Sequence, residues 1–397
     1  MHGHHAVLIK DQLEAKRFME EIGSSPQGVG FMIPKAVFKC IKLKNISNRA
    51  ANIVKQEMLS KGGEAAVAKE ALDNQGSTDV LLMGTLKHYR LLNAKLSLQP
   101  FGLKAVAREI EAILTNLEIK NWELPLAHGQ SLTMGSKTLI MGILNITPDS
   151  FSDGGRFFDA DRAVEHALQM AAEGADIIDV GGASSRPDSV MVDEEEELRR
   201  ISAVIPRLVG HGLTLAVDTF RARVAERALE EGVQLINDIG GFVMDPELLP
   251  VLVKWQAPVV LMHNRMQISG ERGYSDLVAE ICLDLRQSMA QAAAAGLGAE
   301  RIIIDPGLGF GKTPAQNLLL LQRLQDFRSL GRPILVGASR KSFIGRTLEL
   351  EPADRLEGSL AAAVLAIMNG AALVRVHDVQ ATCRAARLTD AVRWSHG

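Results

Sequence analysis

The feature that most constrains the fold is a unit that repeats from about residue 138 to the end of the chain. Each unit is a short β-branched run that ends in polar residues or glycine, followed by a longer segment with helical spacing of apolar residues. Eight units in about 260 residues predict a (β/α)8 barrel. The predicted strands are Thr138–Asn145, Asp176–Gly182, Thr214–Thr219, Gln234–Ile239, Pro258–His263, Arg301–Pro306, Pro333–Ser339 and Ala372–Asp378.

An open, doubly wound parallel sheet is the structural competitor. It normally has fewer units and a glycine-rich phosphate turn after its first strand. Here the first strand ends in Asn145-Ile-Thr-Pro-Asp, without that turn. The sequence therefore favours the closed barrel.

Residues 1–120 have a different pattern, which predicts a small α+β domain before a barrel domain at 121–397. Its predicted strands are Ala6–Lys10, Val37–Lys44 and Asp79–Gly84, and its predicted helices are Asp11–Ile22, Ser47–Leu59 and Leu103–Leu117. The join, Trp122–Ser136, is a β-hairpin that closes the barrel floor, a linker, or both. No function follows from the sequence of the first domain.

Composition and charge exclude several classes of function. Lys and Arg number 44 against 47 Asp and Glu, for a net charge of -3, so no field favours nucleic acid or an anionic membrane. No stretch has the roughly 20 apolar residues that span a bilayer, and the N-terminal residues lack the basic-then-apolar pattern of a secretion signal, so we expect neither membrane insertion nor secretion. Three scattered cysteines predict neither disulfides nor a zinc site. We therefore expect a cytoplasmic protein.

Polar residues end nearly every predicted strand, where a barrel of this kind places its active site. Asp218, Asn237 and Asp305 lie at the ends of the third, fourth and sixth strands. Together they suit a flat, nitrogen-rich heterocycle, because carboxylates form charge-assisted hydrogen bonds with its N–H groups. The alternative is that each side chain caps the helix that follows it.

A second group at the strand ends is cationic and predicts a phosphorylated substrate. Its members are Arg186, Lys341, Arg375 and His377. Lys312 and Arg340, which lie nearby in the sequence, are expected to be solvated residues at helix starts. His263 is either functional or a packed structural histidine. Asn145 offers a neutral oxygen to a Mg²⁺ ion whose other ligands are phosphate and water.

Nucleophilic catalysis has little support in the sequence. It contains no GxSxG elbow, no GxxxxGK[ST] phosphate loop and no HExxH motif, and no cysteine ends a predicted strand.

The chain resembles the dihydropteroate synthase family of pterin-binding barrels from about Trp122 to its C-terminus. The segments that carry the resemblance are Met141-Gly-Ile-Leu-Asn-Ile-Thr-Pro-Asp-Ser-Phe-Ser-Asp-Gly-Gly155, Gly174-Ala-Asp-Ile-Ile-Asp-Val-Gly-Gly182, Asp305-Pro-Gly-Leu-Gly-Phe-Gly-Lys-Thr313, Gly337-Ala-Ser-Arg-Lys-Ser-Phe-Ile-Gly345 and Arg375-Val-His-Asp378. The family joins p-aminobenzoate to 6-hydroxymethyl-7,8-dihydropterin diphosphate and releases pyrophosphate. The resemblance also implies a homodimer formed through the barrel and a site for sulfonamides.

The resemblance implies a role for each matching residue. The pterin would be held by Asp218, Asn237, Met262, Asp305, Lys341 and Arg375, with Arg375 stacking on the ring. The diphosphate would be held by Asn145, Arg375 and His377, with Asn145 helping to place Mg²⁺. The p-aminobenzoate site would be shaped by Phe151, Ser185, Arg186, Pro187 and Ser342. Asn145, Lys341, Arg375 and His377 are the expected catalytic residues.

One loop departs from the family pattern. Where members commonly read GGESTRPG, this chain has Gly181-Gly-Ala-Ser-Ser-Arg-Pro-Asp188, so Ala183 replaces a carboxylate and Ser185 keeps a hydroxyl. Two alternatives to the synthase remain. One is a catalytically silent pterin-binding paralogue, which the loop changes would suit. The other is a methyltetrahydrofolate corrinoid methyltransferase, which has no need of the diphosphate-handling segments.

Overall fold

The computed structural model describes residues 2–73, 75–146, 160–183, 192–265 and 273–395. Contacts divide the chain into two compact units, Met1–Glu118 and Ile119–Gly397. Four of the expected p-aminobenzoate residues, Phe151, Ser185, Arg186 and Pro187, lie outside the described residues, as does most of the loop that departs from the family pattern. No helix in the described part of the chain is both long enough and apolar enough to cross a bilayer.

The first unit is a three-stranded antiparallel sheet packed with helices. Its elements are α1 (Gln12–Glu21), α2 (Pro26–Ala36), β1 (Phe38–Ser47), α3 (Asn48–Ser60), β2 (Glu64–Val67), β3 (Ser77–Thr85), α4 (Leu86–Leu96) and α5 (Leu103–Glu118). The strands lie in the order β1-β3-β2. Ile41 and Leu82 are buried against Met58, Tyr89 and Ile110 from the helices. The expected small α+β fold is confirmed.

The expected strand Ala6–Lys10 is wrong, because this segment forms no ladder with the sheet. The Lys10 carbonyl instead accepts a hydrogen bond from the side chain of Lys39. Three further elements, α2, β2 and α4, were not predicted from the sequence. Gly28, Gly30 and Pro34 are poor helix formers and hide the helical pattern of α2, although Ser25 caps it and Pro26 begins it.

The second unit opens with a hairpin of two antiparallel strands, β4 (Trp122–Pro125) and β5 (Ser131–Met134). The next elements are β6 (Leu139–Asn145), α6 (Ala160–Glu173), β7 (Ile177–Gly181), α7 (Glu194–Val209), β8 (Leu215–Asp218), α8 (Ala222–Glu230), β9 (Leu235–Asp238), α9 (Leu248–Trp255) and β10 (Val259–Met262). The last are α10 (Leu277–Ala295), β11 (Ile302–Asp305), α11 (Pro314–Gln322), β12 (Leu335–Val336), α12 (Ser342–Leu348), α13 (Leu356–Met368), β13 (Leu373–Val376) and α14 (Val379–Trp394).

Strands β6–β13 form one parallel sheet in the order β11-β10-β9-β8-β7-β6-β13-β12. The bridge between Ile304 and Ile334 joins the two ends of this order and closes the barrel. Each of the eight strands lies within a strand expected from the sequence, so the predicted (β/α)8 barrel is confirmed. The strands are short and buried on both faces, which explains their continuous apolar runs.

The hairpin closes the floor of the barrel. Leu124 and Met134 are fully buried in one apolar cluster with the inward residues of the strands. The Trp122 indole N–H donates to the Gly331 carbonyl at 3.1 Å, and the Ala127 N–H donates to the Gln234 carbonyl at 3.1 Å. The segment therefore forms the β-hairpin expected to close the barrel floor.

Candidate active site at the barrel mouth

The candidate site is a layer of polar side chains directly above the apolar floor. Successive side chains of a strand alternate between faces, so the residue two positions after an inward floor residue also points inward. The floor residues of β7, β8, β9, β11 and β13 are Ile177, Ala216, Leu235, Ile303 and Leu373. Two positions further along these strands lie Asp179, Asp218, Asn237, Asp305 and Arg375. We call these five side chains the inward polar layer.

Arg375 connects one side of the layer. Its Nε donates to Oδ2 of Asp179 at 2.6 Å, and its Nη2 donates to Oδ2 of Asp218 at 2.7 Å. Nδ2 of Asn237 donates to the same Asp179 oxygen at 3.0 Å. Asp218 and Asn237 therefore take part in a network across the mouth and do not cap the helices that follow them.

Asp305 and Lys341 lie on the other side, around the loop after β11. Oδ1 of Asp305 accepts the Gly307 N–H at 2.7 Å, and Lys341 donates to the Leu308 carbonyl. The Lys341 ammonium also lies 4.4 Å from the centre of the Phe310 ring. The chain passes so close to His263 that a Cβ on Gly307 would lie 2.0 Å from its carbonyl oxygen, and Gly307 has a φ of +71°. Glycine is therefore required there.

Burial and neighbouring charges shift the proton equilibria of the layer. Burial raises the pKa of Asp218 to about 7, against the opposing effect of Arg375. Burial also raises the pKa of Asp305, with Lys341 opposing the shift. The pKa of Lys341 is lowered to about 8 by burial. Carboxylates and an ammonium with shifted pKa values that cluster at the mouth of a barrel are typical of functional centres.

Of the three expected diphosphate residues, Arg375 belongs to the inward polar layer, while Asn145 and His377 lie at the C-terminal ends of β6 and β13. Asn145 ends β6 and is partly buried. The His377 N–H donates to Oγ of Ser339 at 3.2 Å, and that hydroxyl lies 3.1 Å from His377 Nδ1. Met262 ends β10 in the inward register with a relative exposure of 4%. Ser342 is exposed at the start of α12.

A second polar cluster lies beside the layer and corrects one expectation. Lys312 is not a solvated residue at a helix start, because its ammonium donates to the carbonyls of Gly307 and Phe310 at 2.8 and 3.0 Å. It also lies 3.1 Å from His263 Nδ1. Burial lowers the pKa of Lys312 to about 7. Arg340 matches its expectation, since it pairs with Asp378 at the surface.

His263 is buried and connects this cluster to α10. Its Nε2 lies 3.0 Å from Oδ2 of Asp284, which also accepts from Arg265 at 2.8 Å. Burial lowers the pKa of His263, so the neutral ring is favoured. Because an ammonium donates to Nδ1, the ring proton lies on Nε2 and is donated to Asp284. Of the two interpretations of His263, the packed structural one fits its contacts.

Asp179 lies inside one of the segments that resemble the family, but no role followed for it from the sequence. The available signal was its place in Ile-Ile-Asp-Val-Gly, where an acidic residue interrupts a strand that is buried throughout. A buried carboxylate is costly unless it is paired, so such a residue indicates a partner across the barrel. That partner is Arg375.

A (β/α)8 barrel with acidic, amide and cationic side chains at the C-terminal ends of its strands is an enzyme architecture, with its site at that mouth. The particular family follows from comparison with known proteins. The profile of the pterin binding enzymes matches residues 141–377, which is more than half of the chain. The chain belongs to the pterin binding enzyme family.

Its relatives include the dihydropteroate synthase of Bacillus subtilis, 46% identical over 263 residues that make up 66% of this chain and 91% of that one. A solved dihydropteroate synthase from Clostridium difficile, determined in the presence of pteroic acid, is 46% identical with a TM-score of 0.63. It matches 66% of this chain and 99% of its own length. A probable bifunctional folylpolyglutamate synthase/dihydropteroate synthase of Halobacterium salinarum is 38% identical over 96% of this chain and 46% of its own length.

Proposed function

We infer that the chain is a dihydropteroate synthase. This transferase joins 6-hydroxymethyl-7,8-dihydropterin diphosphate to p-aminobenzoate in folate synthesis and releases pyrophosphate. The observation that carries the inference is the inward polar layer of a barrel that belongs to the pterin binding enzymes. Its relatives of 46% identity are named as dihydropteroate synthases.

The layer suits the pterin ring. Asp218, Asn237 and Asp305 are each at most 5% exposed, so hydrogen bonds from a ring to their oxygens would form away from bulk water. A ring without matching N–H groups would leave these buried acceptors unpaired, which gives strong selectivity. Met262 offers an apolar contact in the same layer. We propose that Lys341 and Arg375 complete the pterin site.

We propose that Arg375, His377 and Asn145 hold the diphosphate. In the described part of the chain, no three His, Cys, Asp or Glu side chains converge as a metal-binding group. A single amide oxygen from Asn145 fits a Mg²⁺ ion, which takes few protein ligands and keeps phosphate oxygens and water. When bound, the ion supplies positive charge that offsets the negative charge of the leaving pyrophosphate.

The proposed reaction is a substitution at the pterin methylene carbon. The bond from carbon to the diphosphate oxygen breaks, and pyrophosphate leaves with the electron pair. The carboxylates of Asp218 and Asp305 stabilise the positive charge left on the pterin. The lone pair of the aryl amine forms the new carbon–nitrogen bond, and the amine then loses a proton to solvent. The amine is neutral near pH 7, so this route needs no strong general base.

We assign the p-aminobenzoate site to Phe151, Ser185, Arg186, Pro187 and Ser342, and only Ser342 is among the described residues. This site would also be the one that sulfonamides occupy.

We propose that the protein is a homodimer formed through its barrel. Support comes from large apolar side chains left exposed on α11, α12, α13 and α14, which are Leu318, Leu319, Leu348, Leu365, Met368, Leu388 and Val392. Helices α11 and α14 each pack against α13. Exposed apolar groups on adjacent elements are typical of an interaction surface.

We propose a cytoplasmic location. The three cysteines of the chain are all free, as is usual for proteins of a reducing compartment.

The experiment is an assay of the purified protein with dihydropterin diphosphate, p-aminobenzoate and Mg²⁺. We expect dihydropteroate and pyrophosphate in equal amounts, and no product from the Asp218→Ala variant. Tight binding of the pterin diphosphate without either product would overturn the synthase and favour the silent paralogue. Methyl transfer from methyltetrahydrofolate to a corrinoid would favour the methyltransferase.

A further inference from the structure

Asp179 is the member of the inward polar layer whose role the proposed function leaves open. The side chain is completely buried. Oδ2 of this residue accepts from Nε of Arg375 and from Nδ2 of Asn237, at 2.6 and 3.0 Å. Oδ1 has no hydrogen-bond partner among the described residues. A single carboxylate oxygen therefore links two side chains of the proposed pterin site.

The contact with Asp179 determines which end of the Asn237 amide faces the mouth. An ionised carboxylate only accepts hydrogen bonds, so the NH2 group of Asn237 must be the end turned toward Asp179. The amide oxygen of Asn237 is then left as an acceptor for a ligand. Asn237 consequently recognises an N–H donor on the ring edge and disfavours a ring that presents an acceptor there.

The same carboxylate constrains the guanidinium of Arg375. Nε is held by Asp179, while Nη2 is held by Asp218 at 2.7 Å. Two carboxylates on different strands thus fix the plane of a rigid donor group. A planar cation held in one orientation is suited to stacking on a ring or to holding a diphosphate oxygen.

We propose that Asp179 is a positioning residue that sets the hydrogen-bonding polarity of Asn237 and the plane of Arg375 for pterin recognition. The proposal rests on the proposed function. Asp179 acts through these two side chains and does not touch the substrate, because the carboxylate has no exposed surface.

The charge of Asp179 also affects the ionisation of Asp218, and this effect gives a second, independent measurement of the role of Asp179. The charged neighbours that shift the pKa of Asp218 are Arg375, Asp179, Glu197 and Asp238. The charge of Asp218 in turn affects the pKa of Lys341. Asp179 raises the pKa of Asp218, whereas Arg375 lowers it. Removing the charge of Asp179 while keeping its shape should therefore shift the ionisation of Asp218 to lower pH.

The test compares Asp179→Ala and Asp179→Asn with the wild type in steady-state kinetics. Asp179→Ala removes both contacts, and we expect KM for the dihydropterin diphosphate to rise about tenfold or more while KM for p-aminobenzoate stays unchanged. Asp179→Asn keeps an acceptor oxygen for Arg375 and Asn237. It should therefore retain most of the pterin affinity and move the acidic limb of the kcat/KM profile to lower pH.

Two controls separate positioning from folding. Asp176→Asn changes an acidic residue near the base of the same strand, which pairs with Lys137 and accepts the Ile140 N–H. It should leave both KM values and the acidic limb in place. A double-mutant cycle should show that Asp179→Ala raises the pterin KM less in an Asn237→Ala background than in the wild type.

The proposal is overturned if Asp179→Ala leaves the pterin KM unchanged, or if Asp179→Asn leaves the acidic limb where the wild type has it. If the wild type binds dihydropterin diphosphate without turnover, the synthase assignment fails. In that case the role of Asp179 is tested by calorimetry. The dissociation constants of dihydropterin diphosphate for Asp179→Ala, Asp179→Asn and the wild type, and their pH dependence, then replace the kinetic constants. If the wild type does not bind the pterin at all, both the synthase assignment and the positioning role of Asp179 are overturned.

Discussion

At the scale of single residues, the site depends on which charges are paired inside the barrel. Arg375 is bonded to two buried carboxylates, while Lys341 approaches the Leu308 carbonyl and the Phe310 ring. Sequence patterns identified Asp218, Asn237 and Asp305, because all three lie close to the C-terminal ends of predicted strands. They did not identify Asp179, which lies in the middle of its strand. Its role comes from its partner Arg375, 196 positions away in the sequence.

We predict a narrow bell-shaped dependence of kcat/KM on pH for the pterin diphosphate. Activity should rise as Asp218, with its pKa raised to about 7, ionises and becomes an acceptor. It should fall as Lys341, with its pKa lowered to about 8, loses its positive charge. Initial rates at subsaturating pterin diphosphate measure this profile. In Lys341→Arg the alkaline limb should disappear, since guanidinium does not titrate there. A flat profile from about pH 6 to about pH 9 would contradict the assigned roles.

At the scale of secondary-structure elements, the loop after β11 and the floor hairpin hold the layer in place. The loop supplies the Gly307 N–H that donates to Asp305 and the Leu308 carbonyl that accepts from Lys341. Lys312 connects the loop to His263, directly after β10. Sequence reasoning placed the loop correctly but expected Lys312 in solvent. A lysine before a helix gives no local sign of burial. The carbonyls of Gly307 and Phe310 accept hydrogen bonds from Lys312 only because the glycine-rich backbone between Asp305 and Lys312 turns them toward its ammonium.

We predict that Lys312→Met loosens this loop. It removes hydrogen bonds to two carbonyls and to His263, so the free energy of unfolding should fall by about 1 to 3 kcal/mol. Pterin affinity should fall as well, because Asp305 loses its support. Urea denaturation and calorimetry measure the two effects. The matched control is Arg340→Met, which breaks the surface pair with Asp378 and should cost at most about 1 kcal/mol. If both variants lost the same amount of unfolding free energy, Lys312 would not hold the loop in place as proposed.

The hairpin gives a prediction about stability without a change in catalysis. Leu124 is fully buried among the floor residues. Leu124→Ala should lower the free energy of unfolding by about 2 to 5 kcal/mol through lost contacts and a residual cavity. Both KM values should stay at their wild-type levels, because the polar layer lies above the floor. Chemical denaturation followed by kinetics on the same preparation would show whether the floor and the site are separable.

At the scale of the whole molecule, two units share one chain. The repeating strand–helix pattern predicted the barrel almost completely, because eight similar units reinforce one another. The first unit has no such repetition, and its short β2 and glycine-containing α2 gave weaker signals. The Halobacterium salinarum relative aligns with 96% of this chain, so it matches most of the first unit as well. The Clostridium difficile structure is covered almost completely by 66% of the chain.

We predict that residues 119–397 fold and catalyse without the first unit. The hairpin, the closed barrel and the inward polar layer all belong to this unit, and a compact unit with its own core is able to fold alone. Its kcat should stay within about threefold of the full chain. Comparison of the two proteins in the same synthase assay measures this ratio. Loss of activity in a folded fragment would show that the first unit contributes to the reaction.

The central claim is that the inward polar layer binds the pterin. A crystal structure of the full chain with dihydropterin diphosphate tests it most directly. We predict that the ring edge lies within hydrogen-bond distance of Asp218, Asn237 and Asp305, with the Asn237 amide oxygen facing a ring N–H and its NH2 group still bonded to Asp179. A pterin bound elsewhere, or bound at the mouth without contact to these three side chains, would contradict the account.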